Sequence, residues 1–168
     1  GIVGRNGSGK TTLLKILCGI YKADAGEFTL DKKKLVDKPD LIKHIGFLPD
    51  RFDYFSFYKA KDLPDFYKIS YEDFDSDYFF TELNKNDIDP NQSIRNFSKG
   101  QKNLLGLITI LASKADILLV DEILDGMDVL NKKLILSYIL DAKEEGRTVL
   151  ASSHELGYLA GICEEVLY

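Results

Sequence analysis

Gly4-Arg5-Asn6-Gly7-Ser8-Gly9-Lys10-Thr11 is the stretch on which the reading of this chain turns. It fits the pattern G-x-x-x-x-G-K-[ST]. It also lies where such a loop has to lie, after the apolar pair Ile2-Val3 and before Leu13, Ile16, Leu17 and Ile20. Those four residues follow the i, i+3, i+4, i+7 stripe of a helix. The glycines let backbone N–H groups wrap around phosphate oxygens without side chains in the way. The helix N-terminus behind them adds a partial positive charge toward the anion. Lys10 is expected to reach the β- and γ-phosphates of a nucleotide, and the Thr11 hydroxyl to ligate Mg²⁺. Gly4, Asn6, Gly7, Ser8, Gly9 and Thr12 complete the expected phosphate-binding set.

Outward from this loop, short apolar runs alternate with helical periodicity. Glu27–Leu30, Ile45–Leu48, Ile117–Val120, Thr148–Ala151 and the beginning of a run at Val166–Tyr168 read as strands. Leu130, Leu134, Ile135 and Tyr138 mark a helix that Gly146 ends, and Glu155–Ile162 reads as a short one. Ile117–Val120 is apolar throughout, as in strands buried on both faces. It runs into Asp121 and Glu122, which puts two carboxylates outside the end of a strand, where open α/β sheets bind their ligands. Asp121 is placed to hold Mg²⁺ and Glu122 to orient or deprotonate an attacking water. Ser98 followed three residues later by Gln101 is a capping box, so a helix should start there and carry Leu104–Ala112. The expected fold is α/β: a P-loop NTPase with a mostly parallel sheet flanked by helices.

With Phe97-Ser98-Lys99-Gly100-Gln101 in view, the chain resembles the nucleotide-binding domain of ATP-binding cassette (ABC) transporters. That family carries an LSGGQ-like signature upstream of its aspartate-glutamate strand, and Ser98 lies 23 residues before Asp121. Asp125-Gly126-Met127-Asp128 matches the loop that follows the family's catalytic glutamate, and Ala151-Ser152-Ser153-His154 matches its switch histidine. The wording around Asp50, the Asp125–Asp128 loop and the stretch Asp50–Phe55 look most like the ATPases of bacterial ABC-2-type exporters. The resemblance implies ATP and Mg²⁺ as cofactors and Glu122 and His154 as catalytic residues. Thr11, Asp50 and Asp121 would hold the metal. Two such domains would bind head to tail, with Ser98, Lys99, Gly100 and Gln101 of one facing the ATP of the other. Asp128 would belong to the loop between them. The partners implied are that second nucleotide-binding domain and an integral-membrane permease. The chain would then be cytoplasmic and peripheral at the inner face of the cell membrane. It would divide into a phosphate-loop part of the core (1–49), a helical subdomain bearing the signature (50–115) and the remainder of the core (116–168). The family's N-terminal strands and adenine-stacking aromatic lie upstream of the phosphate loop and are expected to be missing here. Three positions depart from the pattern: Asp50 stands where Gln is usual, Lys99 where Gly is, and Ile123 where Pro is.

Composition agrees with such a protein and excludes others. The chain has 168 residues, 45% hydrophobic and 29% charged, enough for one globular domain with its own core. Its net charge is −5, which argues against a nucleic-acid partner held through its phosphates. Two cysteines, Cys18 and Cys163, read as free thiols. Residues 47–80 hold 13 of the 19 aromatics and are acidic, which suggests a surface coupled to the membrane partner, or the subdomain's own core. Asn84-Lys85-Asn86-Asp87 spells the guanine-reading motif of GTPases, but it follows a helix-like stretch rather than a strand and is set aside. The rival within the same ATPase class is a soluble protein uncoupled to a permease, of the translation-factor or DNA-repair type. Only 88 residues separate Lys10 from Ser98, with no sustained heptads, which disfavours the coiled-coil chromosome type.

Overall fold

A computed structural model describes residues 1–30, 33–34, 39–159 and 161–168. Four parallel strands form the main sheet in the order β1-β6-β5-β4: β1 (Ile2–Val3), β4 (Ile45–Leu48), β5 (Ile117–Asp121) and β6 (Thr148–Ser153). A two-stranded antiparallel hairpin, β2 (Thr29–Leu30) and β3 (Lys33–Lys34), stands apart from it. The helices are α1 (Lys10–Leu17), α2 (Leu63–Tyr67), α3 (Ser76–Lys85), α4 (Lys99–Ala112), α5 (Val129–Glu144) and α6 (Leu156–Leu159).

β5 is paired on both edges, and the pleat sends alternate side chains to opposite faces. Leu118 and Val120 join the larger core, with Leu105 and Ile108 of α4 and Ile135 and Ile139 of α5. Ile117 and Leu119 join a second core, with Leu14 of α1, Cys18 just after that helix, and Phe28. The run is continuously apolar because neither face meets water. Each such Leu or Val removed from solvent is worth roughly 1.5–3 kcal/mol.

α4 lies close against β4 because two glycines make room. A Cβ on Gly106 would come within 2.5 Å of Leu48 Cδ1 and 2.9 Å of Phe52 Cδ2, and one on Gly46 within 3.2 Å of Ile110 Cβ. α3 is tied to α5 by a polar cluster inside this packing. The Tyr138 hydroxyl donates to the buried Glu82 carboxylate, and Asn86 Nδ2 donates to the Tyr138 oxygen at 2.7 Å. Burial, with Glu82 beside it, pushes the Tyr138 phenol above the ordinary tyrosine range, so it stays a donor.

The aromatic window splits. Phe52, Phe74 and Phe79 are core residues, and an edge-and-tilt chain of rings runs from Phe52 through Phe55 and Tyr67 to Phe79 and Phe80. Tyr54 and Phe57 point to solvent, the latter 88% exposed. The strand expected at Val166–Tyr168 is reduced to a single parallel bridge, Leu167 beside Ile2. The last helix covers Leu156–Leu159 rather than 155–162, and residue 160 lies outside the described set. Asn84 and Lys85 close α3, so no strand precedes the GTPase-like tetrapeptide. Both cysteines are free thiols.

Gly106→Ala should lower stability. Overpacking of this kind costs about 1–3 kcal/mol, offset in part by the ~1 kcal/mol that Ala gains over Gly in a helix. A thermal melt of the variant should show a lower midpoint; an unchanged or raised one would mean that Leu48 and Phe52 give way freely.

Candidate functional site

Parallel pairing brings every strand to its C-terminal end at one edge of the sheet. Register aligns Val3 with Ser153, Asp121 with Ser152, and Leu48 with Val120. Gly4 and His154 therefore leave the sheet side by side. Glu122 emerges one strand away, and Asp50 follows the end of β4 on the far side.

The phosphate loop bends through left-handed backbone at Gly7 (φ 82°) and Gly9 (φ 97°), conformations that a side chain makes costly. Gly9 occupies the N-cap of α1, and no side chain among the described residues caps it. The first N–H groups of that helix are therefore open to an anion. Gly4 has to be Gly for space: a Cβ there would stand 2.6 Å from Ser8 Oγ. Asn6, Gly7, Gly9, Lys10, Thr11, Thr12 and Glu122 line a cleft of about 300 Å³.

Lys10 is 6% exposed and its ammonium has an acceptor for each of its three protons. It donates to the Gly4 carbonyl at 2.7 Å and the Arg5 carbonyl at 3.1 Å, and pairs with Glu122 Oε1 at 3.0 Å. Glu122 Oε2 lies 4.0 Å from His154 Nδ1, while His154 Nε2 is 3.7 Å from Asp125 and 3.6 Å from Glu155. Glu122 thus stands between the phosphate cleft and a smaller hollow that also contains Asp125 and His154. Its backbone has φ +45°, rare for a residue with a side chain.

Asp121 is fully buried. Its Oδ1 accepts the Ser152 hydroxyl at 2.5 Å, and its Oδ2 has no hydrogen-bond partner among the described residues. A buried carboxylate oxygen left without a donor fits a nearby cation, so the donor set suits Mg²⁺. Asp50 is exposed and is not part of the cleft lining.

Ser152 is a member of the site that motif reading did not single out. Its hydroxyl donates to Asp121 and accepts the Glu122 N–H at 3.1 Å, while its carbonyl accepts the same N–H at 3.2 Å. It lies between the aspartate-glutamate strand and the histidine, and its only sequence signal is that it precedes Ser153-His154 in a strand.

Ser98, Lys99, Gly100 and Gln101 are not among the lining of the cleft of their own chain. They open α4 at the surface, where the capping box closes on itself: Gln101 N–H donates to Ser98 Oγ at 3.2 Å, and Ser98 N–H to Gln101 Oε1 at 3.0 Å. Lys99 arches over Gly126, and Gly100 packs toward Asn131 and Met127. Asp128 caps α5, accepting the Leu130 and Asn131 N–H groups at 3.0 Å each. The Asn131 backbone and side-chain donors hold its carboxyl below the usual range.

The family model described as ABC transporter matches residues 1–125, about three-quarters of the chain. The chain belongs to the ABC transporter family. Within that family it is 30% identical over 167 residues to "ABC transporter ATP-binding protein YtrB" of Bacillus subtilis, covering 99% of this chain and 57% of that protein. It is 26% identical over 181 residues to "ABC transporter ATP-binding protein NatA" of the same organism, covering 99% of this chain and 71% of NatA. The first curated ABC relatives that it matches are thus spanned over only about half to three-fifths of their length. Among solved structures, one titled "Structure of ATP binding subunit of ABC transporter" superposes with a TM-score of 0.85 at 19% identity, over 98% of this chain and 71% of that one. CbiO1 from Clostridium perfringens, titled as part of the ABC transporter complex cbiONQ, does so with 0.75 at 22% identity, over 98% and 70%. These two likenesses show the ABC ATPase fold.

Ser152→Ala would leave both Asp121 oxygens without a protein donor. Stranding a buried acceptor typically costs about 1–3 kcal/mol. Chemical denaturation of the variant should show a lower midpoint with unchanged slope; wild-type stability would mean that water replaces the hydroxyl without loss.

Proposed function

We propose that the full protein binds ATP with Mg²⁺ and hydrolyses it to ADP and phosphate, as the ATP-binding subunit of an ABC transporter. The observation that carries this reading is the placement of Glu122 between Lys10 and His154 at the mouth of an uncapped helix N-terminus. Gly4, Asn6, Gly7, Ser8, Gly9, Thr11 and Thr12 supply the cradle for the phosphates. Thr11 and Asp121, with Asp50 from the neighbouring strand end, would hold Mg²⁺. Held by these residues, a Mg²⁺ ion would supply Lewis-acid neutralisation of the phosphate charge.

The ion pair gives the chain's own groups an order of events. Lys10 has no spare proton, so a phosphate oxygen that pairs with it displaces one of its three acceptors, of which Glu122 is the one on a side chain and the one that a like-charged phosphate repels. The released Glu122 carboxylate then takes a proton from the attacking water. His154, beside Glu122, holds the γ-phosphate end of that arrangement. Ser98, Lys99, Gly100 and Gln101 act on the ATP of a second nucleotide-binding domain, bound head to tail, with Asp128 in the loop at that contact. The closed capping box has to release donors for this, and the exposed position of the helix start leaves them accessible.

The membrane partner in this reading is a permease, and the resemblance of the Asp50 and Asp125–Asp128 segments to ABC-2-type exporter ATPases favours an exporter. No helix among the described residues is long and apolar enough to cross a membrane, in keeping with a subunit that docks peripherally at the inner face. Tyr54 and Phe57 lie four and seven residues after Asp50 and are exposed rings suited to that docking. Asp53 and Asp62 are less suited, because Asp53 pairs with Lys102 at 2.9 Å and Asp62 accepts the Lys59 N–H at 2.9 Å. In this reading residues 1–49 and 116–168 form the ATPase core and 50–115 the signature-bearing subdomain.

In the full-length protein, Glu122→Gln should retain ATP binding, lower kcat by about 10²–10⁴-fold and accumulate an ATP-bound dimer. Normal turnover would remove Glu122 from the role of base. Lys10→Ala should weaken ATP binding, and unchanged affinity would overturn the assignment of the loop. Phe57→Asp should reduce co-purification with the permease while leaving basal ATPase intact; undiminished co-purification would place the docking surface elsewhere.

A further inference from the structure

We infer that Asn103 is a positioning residue for the general base, an inference that rests on the hydrolytic reading of Glu122 above. Asn103 lies on α4, five residues after Ser98, and is 2% exposed. A buried amide has to find partners, and this one gives both its protons to the loop that follows Glu122. Nδ2 donates to the Ile123 carbonyl at 2.7 Å and reaches Met127 Sδ at 3.6 Å.

The site of that contact is what assigns the role. Ile123 is the residue directly after Glu122, whose left-handed φ of +45° persists only where neighbouring structure over-determines it. From the sheet side, Ser152 holds the Glu122 N–H through its carbonyl and its hydroxyl. Within the loop, the Glu122 carbonyl accepts the Asp125 N–H at 3.0 Å. The next peptide group, that of Ile123, is the one Asn103 holds, and it does so from a different element. The backbone that aims Glu122 at Lys10 and His154 is thereby pinned from β6 and from α4. Without the amide, the Ile123 carbonyl loses its buried donor. The kink relaxes, and the carboxylate no longer rests where water and phosphate meet. Asn103 touches no reacting atom, so its effect on catalysis passes through Glu122.

α4 is also the helix that Ser98 opens, and Lys99 and Gly100 press on the same loop near Gly126 and Met127. The base and the signature are therefore attached to one rigid element.

The test is steady-state ATPase kinetics of the full-length protein bearing Asn103→Leu, a side chain of similar shape with no donor. kcat should fall about 10- to 100-fold, the range that misplacement of a reacting group by about an ångström produces. KM for ATP and the equilibrium affinity for ATP should stay within about twofold of wild type, because the phosphate cradle is untouched. In a Glu122→Gln background, adding Asn103→Leu should change the residual rate by less than about twofold, since a residue acting only through the base has nothing left to act on. An unchanged kcat overturns the inference. So does an equal fall in the Glu122→Gln background, or a fall in kcat that merely tracks loss of folded protein in a circular-dichroism melt. Asn103→Ala, which removes the donor and adds neither bulk nor charge, carries the same test if the Leu variant does not fold. Full turnover by Glu122→Gln would contradict the hydrolytic reading itself, so the two failures are separately visible.

Discussion

β5 has no solvent face and no free edge, and the chemistry at its end depends on that. Its four apolar residues lock it between β4 and β6 and between two cores. The strand then delivers two carboxylates to one fixed point. Asp121 is carried inward, fully buried and bonded to Ser152, while Glu122 turns outward through a left-handed kink to meet Lys10. A one-residue slip of the strand would send both carboxylates to the opposite faces. Pairing on both edges and the bond from Ser152 to Asp121 oppose that slip, and the phosphate loop and the histidine reach the same place because their own strands pair in parallel with it.

The parts legible in the sequence are those with local periods or fixed spacings. The phosphate loop, the helix behind it, the apolar β5 and the capping box at Ser98 each announce themselves within about ten residues. Their order along the chain carried the ABC resemblance, and the family comparison bears it out. The contacts that tune the site are of another kind. Ser152 to Asp121 spans 31 residues, Asn103 to Ile123 spans 20, and Asn86 to Tyr138 spans 52. No sequence period encodes a hydrogen bond between elements that meet only after folding. Asn103 in particular looks, in sequence, like the last residue of the polar start of α4, just before the apolar run Leu104–Ala112.

The signature segment shows the same limit from the other side. Its capping box was readable, and it forms, yet closing it satisfies the groups that a partner's phosphate would need. Within one chain the helix start is a finished local structure. The role proposed for it would require a second molecule, and Ser98 and Lys99 are exposed. The aromatic window is likewise two things at once: buried rings that join the larger core and exposed rings at Tyr54 and Phe57.

The central claim is that this edge of the sheet hydrolyses ATP and is completed by a second copy or paralogue. Phosphate release by the purified full-length protein, with ATP and Mg²⁺ and over a range of protein concentrations, tests it most directly. The account predicts saturable release whose rate per subunit rises with protein concentration as head-to-tail pairs form. ATP binding with no phosphate release at any concentration, or with a rate per subunit independent of concentration down to the most dilute sample, would contradict it.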